Sequence, residues 1–344
     1  MLVAGAGPPP AASTPPTRRP EDPLSPVAVV FPGQGAAAPG AGLPWTDHPA
    51  WSVVTEAEAV LDRPLARLLL DADADELATT RSSQLAVLLT SLVVWEAVRS
   101  SLPQPVAFAG HSLGQITALI ASGAVGAADG YRLAAARADA SQDSADAHPG
   151  RMAALIGADV DTAEEACREV DEAWLANDNA PGQVVIAGTP AGLDAASERA
   201  RALGVRRVVT LGVGHAFHTP LLADAAGQLA PLLRSTPFTE PSAPVVTNTD
   251  ARPHTDPAGW PDQLTRHLVE PVRWRATQAT LATDLGADVL VELGPGTVLA
   301  GLARRAVPDV PIRSAATPEE AAALAEFVAA ASTPDLTSTS KGAP

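Results

Sequence analysis

Short unbroken apolar runs alternate along this chain with longer stretches in which apolar residues recur every three to four positions. The first period predicts strands buried on both faces and the second predicts amphipathic helices. Residues 27–31 and 106–110 are two such runs, ended by Pro32-Gly-Gln-Gly35 and by Gly110-His-Ser-Leu-Gly114. Helical spacing covers 51–61, 64–70 and 83–99 between them, the last with Ser82 or Ser83 as its N-cap, and then 116–122 and 129–143. From residue 151 the order changes to strand 152–157, helix 162–173, strands 174–177 and 183–188, helix 191–203 and strand 207–213. That β-α-β-β-α-β order predicts a small ferredoxin-like domain over 151–213. Strand 244–248, helices 261–268 and 273–285, strand 288–293, helix 298–304, strand 311–314 and helix 318–331 then complete an alternation. The expected fold is therefore α/β. A large α/β-hydrolase-like domain with a mostly parallel sheet (27–150 and 214–331) carries the small domain as an insertion. The Pro-, Ala- and Thr-rich ends, 1–26 and 332–344, lack apolar periodicity and are expected to be disordered tails.

Composition narrows the function classes. With 344 residues and 46% hydrophobic content the chain can bury a substantial core. A net charge of −16 argues against nucleic acid as a partner, since phosphate backbones need a basic surface. Cys167 is the one cysteine, so an intramolecular disulfide is excluded and a reducing cytoplasm is the expected compartment. No run of about eighteen apolar residues is present, and no membrane association is expected.

The chemistry gathers at Ser112. A strand, a Gly-x-Ser-x-Gly turn and a helix make an elbow in which small residues allow close backbone packing and leave the serine hydroxyl exposed. A serine becomes a nucleophile only when a base takes its proton, and seven histidines are available. His111 adjoins Ser112 on the unfavourable side of the backbone. His48, His148 and His254 lie in Pro- or Asp-flanked loops that read as solvent-exposed. His215 and His218 follow a strand beside glycines, at the mouth of an expected cleft between the two domains. A metal at this His-x-x-His pair is not expected, because no third ligand motif stands near it.

Taken together, Phe31-Pro-Gly-Gln-Gly35, Gly110-His-Ser-Leu-Gly-Gln115, Arg137, Gln183-Val-Val-Ile-Ala-Gly188, Gly214-His-Ala-Phe-His218, Pro271-Val-Arg-Trp274 and Glu292-Leu-Gly-Pro-Gly296 occur in one order over about residues 27–331. In this the chain resembles the malonyl-CoA:acyl-carrier-protein transacylases and the acyltransferase domains of polyketide synthases. The resemblance implies that Ser112 is acylated by a CoA thioester with His218 as general base. It implies that the backbone N–H groups of Gln34 and Leu113 form the oxyanion hole. Arg137 would bind the free carboxylate of a malonyl group, with His111 bordering the acyl pocket. Phe217 resembles the residue that malonyl-specific relatives place beside the acyl α-carbon, where methylmalonyl-specific ones carry Ser. His267 stands where bacterial relatives often have Gln, at the position whose backbone carbonyl orients the catalytic histidine, and it also borders the pocket.

Two readings of the chemistry remain open at this level. One is transfer of malonyl from CoA to the phosphopantetheine thiol of an acyl carrier protein, for fatty acid or polyketide synthesis. The other is a serine hydrolase that removes misloaded acyl groups from carrier proteins; Arg137 favours the first. A free-standing monomer without a cofactor of its own is expected. Arg273, Arg275, Arg304 and Arg305 are candidates for a local basic patch that meets an acidic carrier protein.

Overall fold

The computed structural model describes residues 26–331, so the segments read as tails lie outside the described residues except for Pro26. Ten strands are present among the described residues: β1 (Val27–Phe31), β2 (Ala107–Gly110), β3 (Arg151–Ile156), β4 (Ala173–Ala180), β5 (Gln183–Gly188), β6 (Arg207–Thr210), β7 (Val245–Val246), β8 (Pro253–His254), β9 (Val289–Leu293) and β10 (Ile312–Ala315). They form a six-stranded sheet in the order β10-β9-β1-β2-β7-β8 and a four-stranded sheet in the order β4-β5-β3-β6. In the large sheet every neighbouring pair is parallel except the short β7–β8 ladder.

The unbroken apolar runs follow from burial on both faces. Along β1, Val27, Val29 and Phe31 enter one hydrophobic cluster, while Ala28 and Val30 enter a second on the opposite face. Helices Thr80–Val98 and Gly114–Ala121 cover the first face. Trp274 and helix Val298–Ala306 cover the second. The small sheet is wholly antiparallel, and its period of two divides its faces differently. Ala153, Leu155, Val184 and Ile186 pack on the unit's own helices, Val160–Cys167 and Pro190–Ala202. Met152, Ala154, Val185 and Ala187 instead join the core of the large unit. The small sheet is thus pressed against the carboxyl ends of β1 and β2.

One buried carboxylate fastens this wall. Glu292 in β9 is fully buried and accepts hydrogen bonds from the backbone N–H groups of Leu299 and Ala300 and from the Ser314 hydroxyl, each at 2.9 Å. It joins β9, β10 and the first turn of helix Val298–Ala306.

Several expected boundaries shift. The helix expected over 83–99 begins at Thr80, capped by the Thr79 side chain on Ser82 N–H rather than by Ser82 or Ser83. The helix expected over 162–173 is Val160–Cys167, and the following strand is longer than expected and carries register shifts. Strand 207–213 stops at Thr210, and the segment 273–285 changes at Thr280 from α-helix to a π-helical turn. Helix Ala223–Ser235, with Pro231 inside it, lies in a stretch that holds none of the elements expected from the sequence.

Candidate active site

β2 ends in the centre of the sheet, and its last residue explains the elbow. A Cβ built on Gly110 would meet the Gly114 carbonyl oxygen at 1.8 Å, so only glycine lets the following helix lie against the strand. Between them Ser112 takes φ 53°, a left-handed conformation that non-glycine residues adopt at a cost of about 1–3 kcal/mol. Its Oγ lies 2.8 Å from Nε2 of His218, whose own φ is 61°. On the other side of the ring, His218 Nδ1–H donates to the backbone carbonyl of His267 at 2.9 Å. That bond places the proton on Nδ1 and leaves the Nε2 lone pair for the serine hydroxyl.

Arg137 completes the set from helix Ala127–Ala147. Its guanidinium is buried; Nη1 donates to Gln84 Oε1 at 2.5 Å and Nη2 to Ser112 Oγ at 3.2 Å. Among the described residues no carboxylate pairs with it. Burial pulls its pKa down to about 10, which still leaves it cationic at neutral pH. Burial, and then the Arg137 charge, lower the His218 pKa to about 3, so the imidazole is neutral and able to accept a proton. Burial also lowers His267 and His111 from the ordinary histidine value.

A cavity of about 280 Å³ opens over Ser112 and His218. The loop Pro32–Ala36 and His111 form its floor. Met152, Asn177, Asn179, Gln183 and Val185 of the small unit face it, with Leu211, Val213 and Phe217 on the returning segment and Leu299 and Leu302 on the last wall. Among the described residues, the backbone N–H groups of Gln34 and Leu113 have no hydrogen-bond partner; both open short helical turns beside Ser112. His111 points from Ser112 to Asn179 Oδ1, with Nε2 at 2.8 Å, and borders the cavity.

One expectation about the site requires correction. His215 does not stand at the cleft mouth: it is fully buried, 3.2 Å from the Ser144 hydroxyl, and edge-on to Phe217. His267 is buried beside His218. Its ring stacks on His218 at 5.2 Å and its Nε2 lies 3.1 Å from Asn248 Oδ1. His148 is exposed as expected, while His48 and His254 are half-buried. Sequence reading missed Asn248, Asn179 and Gln84. For Asn248 the available signal is a lone amide at the carboxyl end of an apolar run in a parallel sheet, where α/β proteins gather their polar site groups.

Comparison with known proteins bears on this geometry. The acyl transferase domain family model matches residues 28–330. The chain belongs to the acyl transferase domain family. Within it, the malonyl CoA-acyl carrier protein transacylase of Bacillus subtilis is 34% identical, over 82% of this chain and 90% of that protein. The crystal structure of a malonyl-CoA:acyl carrier protein transacylase from Xanthomonas oryzae superposes with a TM-score of 0.84 at 35% identity, covering 88% of this chain and 98% of that one. A type II polyketide synthase acyl-carrier protein in complex with its malonyl-transacylase matches with a TM-score of 0.84 at 32% identity, covering 88% of this chain and 100% of that one.

Proposed function

We propose that this acyltransferase moves a malonyl group from CoA to the phosphopantetheine thiol of an acyl carrier protein through an ester on Ser112. The observation that carries the choice of acyl group is the buried Arg137 guanidinium, 3.2 Å from the nucleophile and without a carboxylate partner among the described residues. An uncompensated cation in a dry site is costly, and the free carboxylate of malonyl offsets that cost by bidentate pairing.

The chemistry runs in two symmetrical halves. His218 Nε2 takes the Ser112 proton as Oγ attacks the thioester carbonyl, and the negative oxygen is held by the N–H groups of Gln34 and Leu113. The C–S bond breaks, and the proton on Nε2 passes to the CoA thiolate. The carrier thiol then gives its proton to His218 and attacks the ester carbonyl; the C–O bond to Ser112 breaks, and the proton on Nε2 returns to Ser112 Oγ. The steps as written call for neither metal nor cofactor. Phe217 lies 5% exposed against the cavity and would oppose an α-methyl branch, a difference worth about 1–3 kcal/mol.

The carrier protein would meet the cavity mouth. Arg305 there bonds to Gln183 on the cavity wall at 2.9 Å, Arg275 pairs with Asp178 at 2.9 Å, and Arg273 and Arg304 are exposed. The strand order of the small unit supports a ferredoxin-like fold inserted into a hydrolase-like one. All groups named come from one chain, which supports a monomeric working unit. Among the described residues no helix is long and apolar enough to cross a membrane, and a cytoplasmic location is consistent with Cys167 remaining a free thiol.

Intact-protein mass measurement with malonyl-, methylmalonyl- and acetyl-CoA tests the reading. One malonyl increment that is stable in buffer and lost on adding holo carrier protein is expected. Rapid loss in buffer alone would instead make the protein a hydrolase.

A further inference from the structure

The hydrogen bonds around Ser112 and His218 form a closed circuit. Ser112 Oγ meets His218 Nε2 at 2.8 Å, and His218 Nδ1–H donates to the His267 carbonyl at 2.9 Å. The His267 ring Nε2 lies 3.1 Å from Asn248 Oδ1, and the same oxygen accepts the Ser112 backbone N–H at 2.7 Å. The circuit therefore begins and ends on the nucleophile.

Asn248 is built to hold this position. It is fully buried; its own N–H donates to Gln115 Oε1 at 2.9 Å, and its carbonyl accepts from Arg273 N–H at 2.9 Å. Its Nδ2 donates to the Gly110 carbonyl at 2.7 Å, which fixes the orientation of the amide, because a flipped side chain would set NH₂ against the Ser112 N–H. With Oδ1 thus an acceptor, the nitrogen of His267 that faces it must carry the proton.

We propose that Asn248 is a positioning residue that acts on both reacting partners at once. It fixes the left-handed Ser112 backbone directly, and through the His267 ring it fixes the carbonyl that sets the tautomer and direction of His218. Its grip on the Ser112 N–H also commits that group, leaving the oxyanion to the N–H groups of Gln34 and Leu113. The inference rests on Ser112 being the acylated nucleophile.

Single-turnover acylation by malonyl-CoA, with KM and a pH profile, tests it on wild type, Asn248→Leu, Asn248→Asp, His267→Leu and the Asn248→Leu/His267→Leu double variant. Asn248→Leu should slow acylation about 10²-fold with KM within about threefold, since misplaced reacting atoms cost rate rather than ground-state binding. The double variant should be no slower than Asn248→Leu alone, because both changes break one circuit. Asn248→Asp keeps the acceptor and adds a negative charge beside a ring whose other charged or titratable neighbours are His218, Arg137 and His111. It should move the acid limb of kcat/KM to higher pH by about one unit. A residue that only supports the fold would lower the unfolding temperature without moving that limb. Should Asn248→Leu fail to fold, the Asn248→Asp profile and the His267→Leu rate decide. Wild-type ester formation with an unshifted Asn248→Asp profile, or with acylation within threefold in the leucine variants, overturns the inference alone. A wild type that forms no malonyl ester overturns the proposed function and the inference with it.

Discussion

Two turns deliver the reacting atoms, and they are made in opposite ways. The elbow at 110–114 is local: a strand stops, glycines let the chain pass within contact distance of itself, and the next helix begins. The return at 214–218 is not local. It brings the chain back from the small unit, puts His215 into the core and His218 onto the cavity, and depends for its direction on His267 and Asn248 from distant segments. Both turns hold a non-glycine residue with positive φ, Ser112 and His218, and only the first is flanked by glycines whose close packing makes room for the turn. The Ser112 backbone is thus held by close glycine packing together with the distant Asn248 amide, whereas on the base side long-range hydrogen bonds set the direction of the His218 ring.

Removing one atom from the elbow should have the largest effect. Ser112→Ala should abolish acyl-enzyme formation while leaving the unfolding temperature near wild type, read by mass measurement and calorimetry; a malonyl adduct persisting on this variant would place the nucleophile elsewhere. On the return side, His218→Ala should slow acylation by about 10²–10⁴ as a lost general base does.

Arg137→Ala separates binding from proton transfer. It should lower malonyl transfer and raise acetyl transfer in competition kinetics, with unchanged selectivity counting against the carboxylate clamp. The same charge helps hold His218 at a low pKa, so the acid limb of wild-type kcat/KM should fall well below the ordinary histidine value near 6.5, and Arg137→Gln should move it up. The pH dependence of stability has a definite sign. His111, His218 and His267 have folded pKa values below their unfolded ones, so below about pH 6.5 the unfolded chain binds more protons than the folded chain. Stability should be fully present above that pH and decline as pH falls below it, followed by denaturant midpoints.

The smallest catalytic effect belongs to His215→Ala. This buried ring bonds to Ser144, so its loss should cost about 1–3 kcal/mol of stability with turnover nearly kept. Equal catalytic losses at His215 and His218 would erase the distinction drawn between them.

The same contrast marks what could be read from the chain. Ser112, its elbow and the alternation of strands and helices were legible because each is written within a few residues. Arg137 and Phe217 became legible through a pattern of motifs rather than through any local feature. His215 and His218 share composition and surroundings in sequence, and only the packing of Phe217 and Ser144 separates them. Asn248 was invisible because its partners, Ser112, Gly110 and His267, are supplied by tertiary contact. Helix Ala223–Ser235 forms around Pro231 because Leu229 and Leu233 are buried, which is again a tertiary cause.

The buried Glu292 carries one more consequence. A glycine-rich loop entering a helix, as Gly294-Pro-Gly296 enters Val298–Ala306, is the form in which many proteins grip phosphate, through free amides at the positive end of the helix dipole. Here the protein supplies its own anion: the Glu292 carboxylate already occupies the Leu299 and Ala300 amides from inside. The diphosphate of CoA finds no vacancy at those two amides. A donor trimmed to its pantetheine arm would then lose no contact at the Leu299 and Ala300 amides.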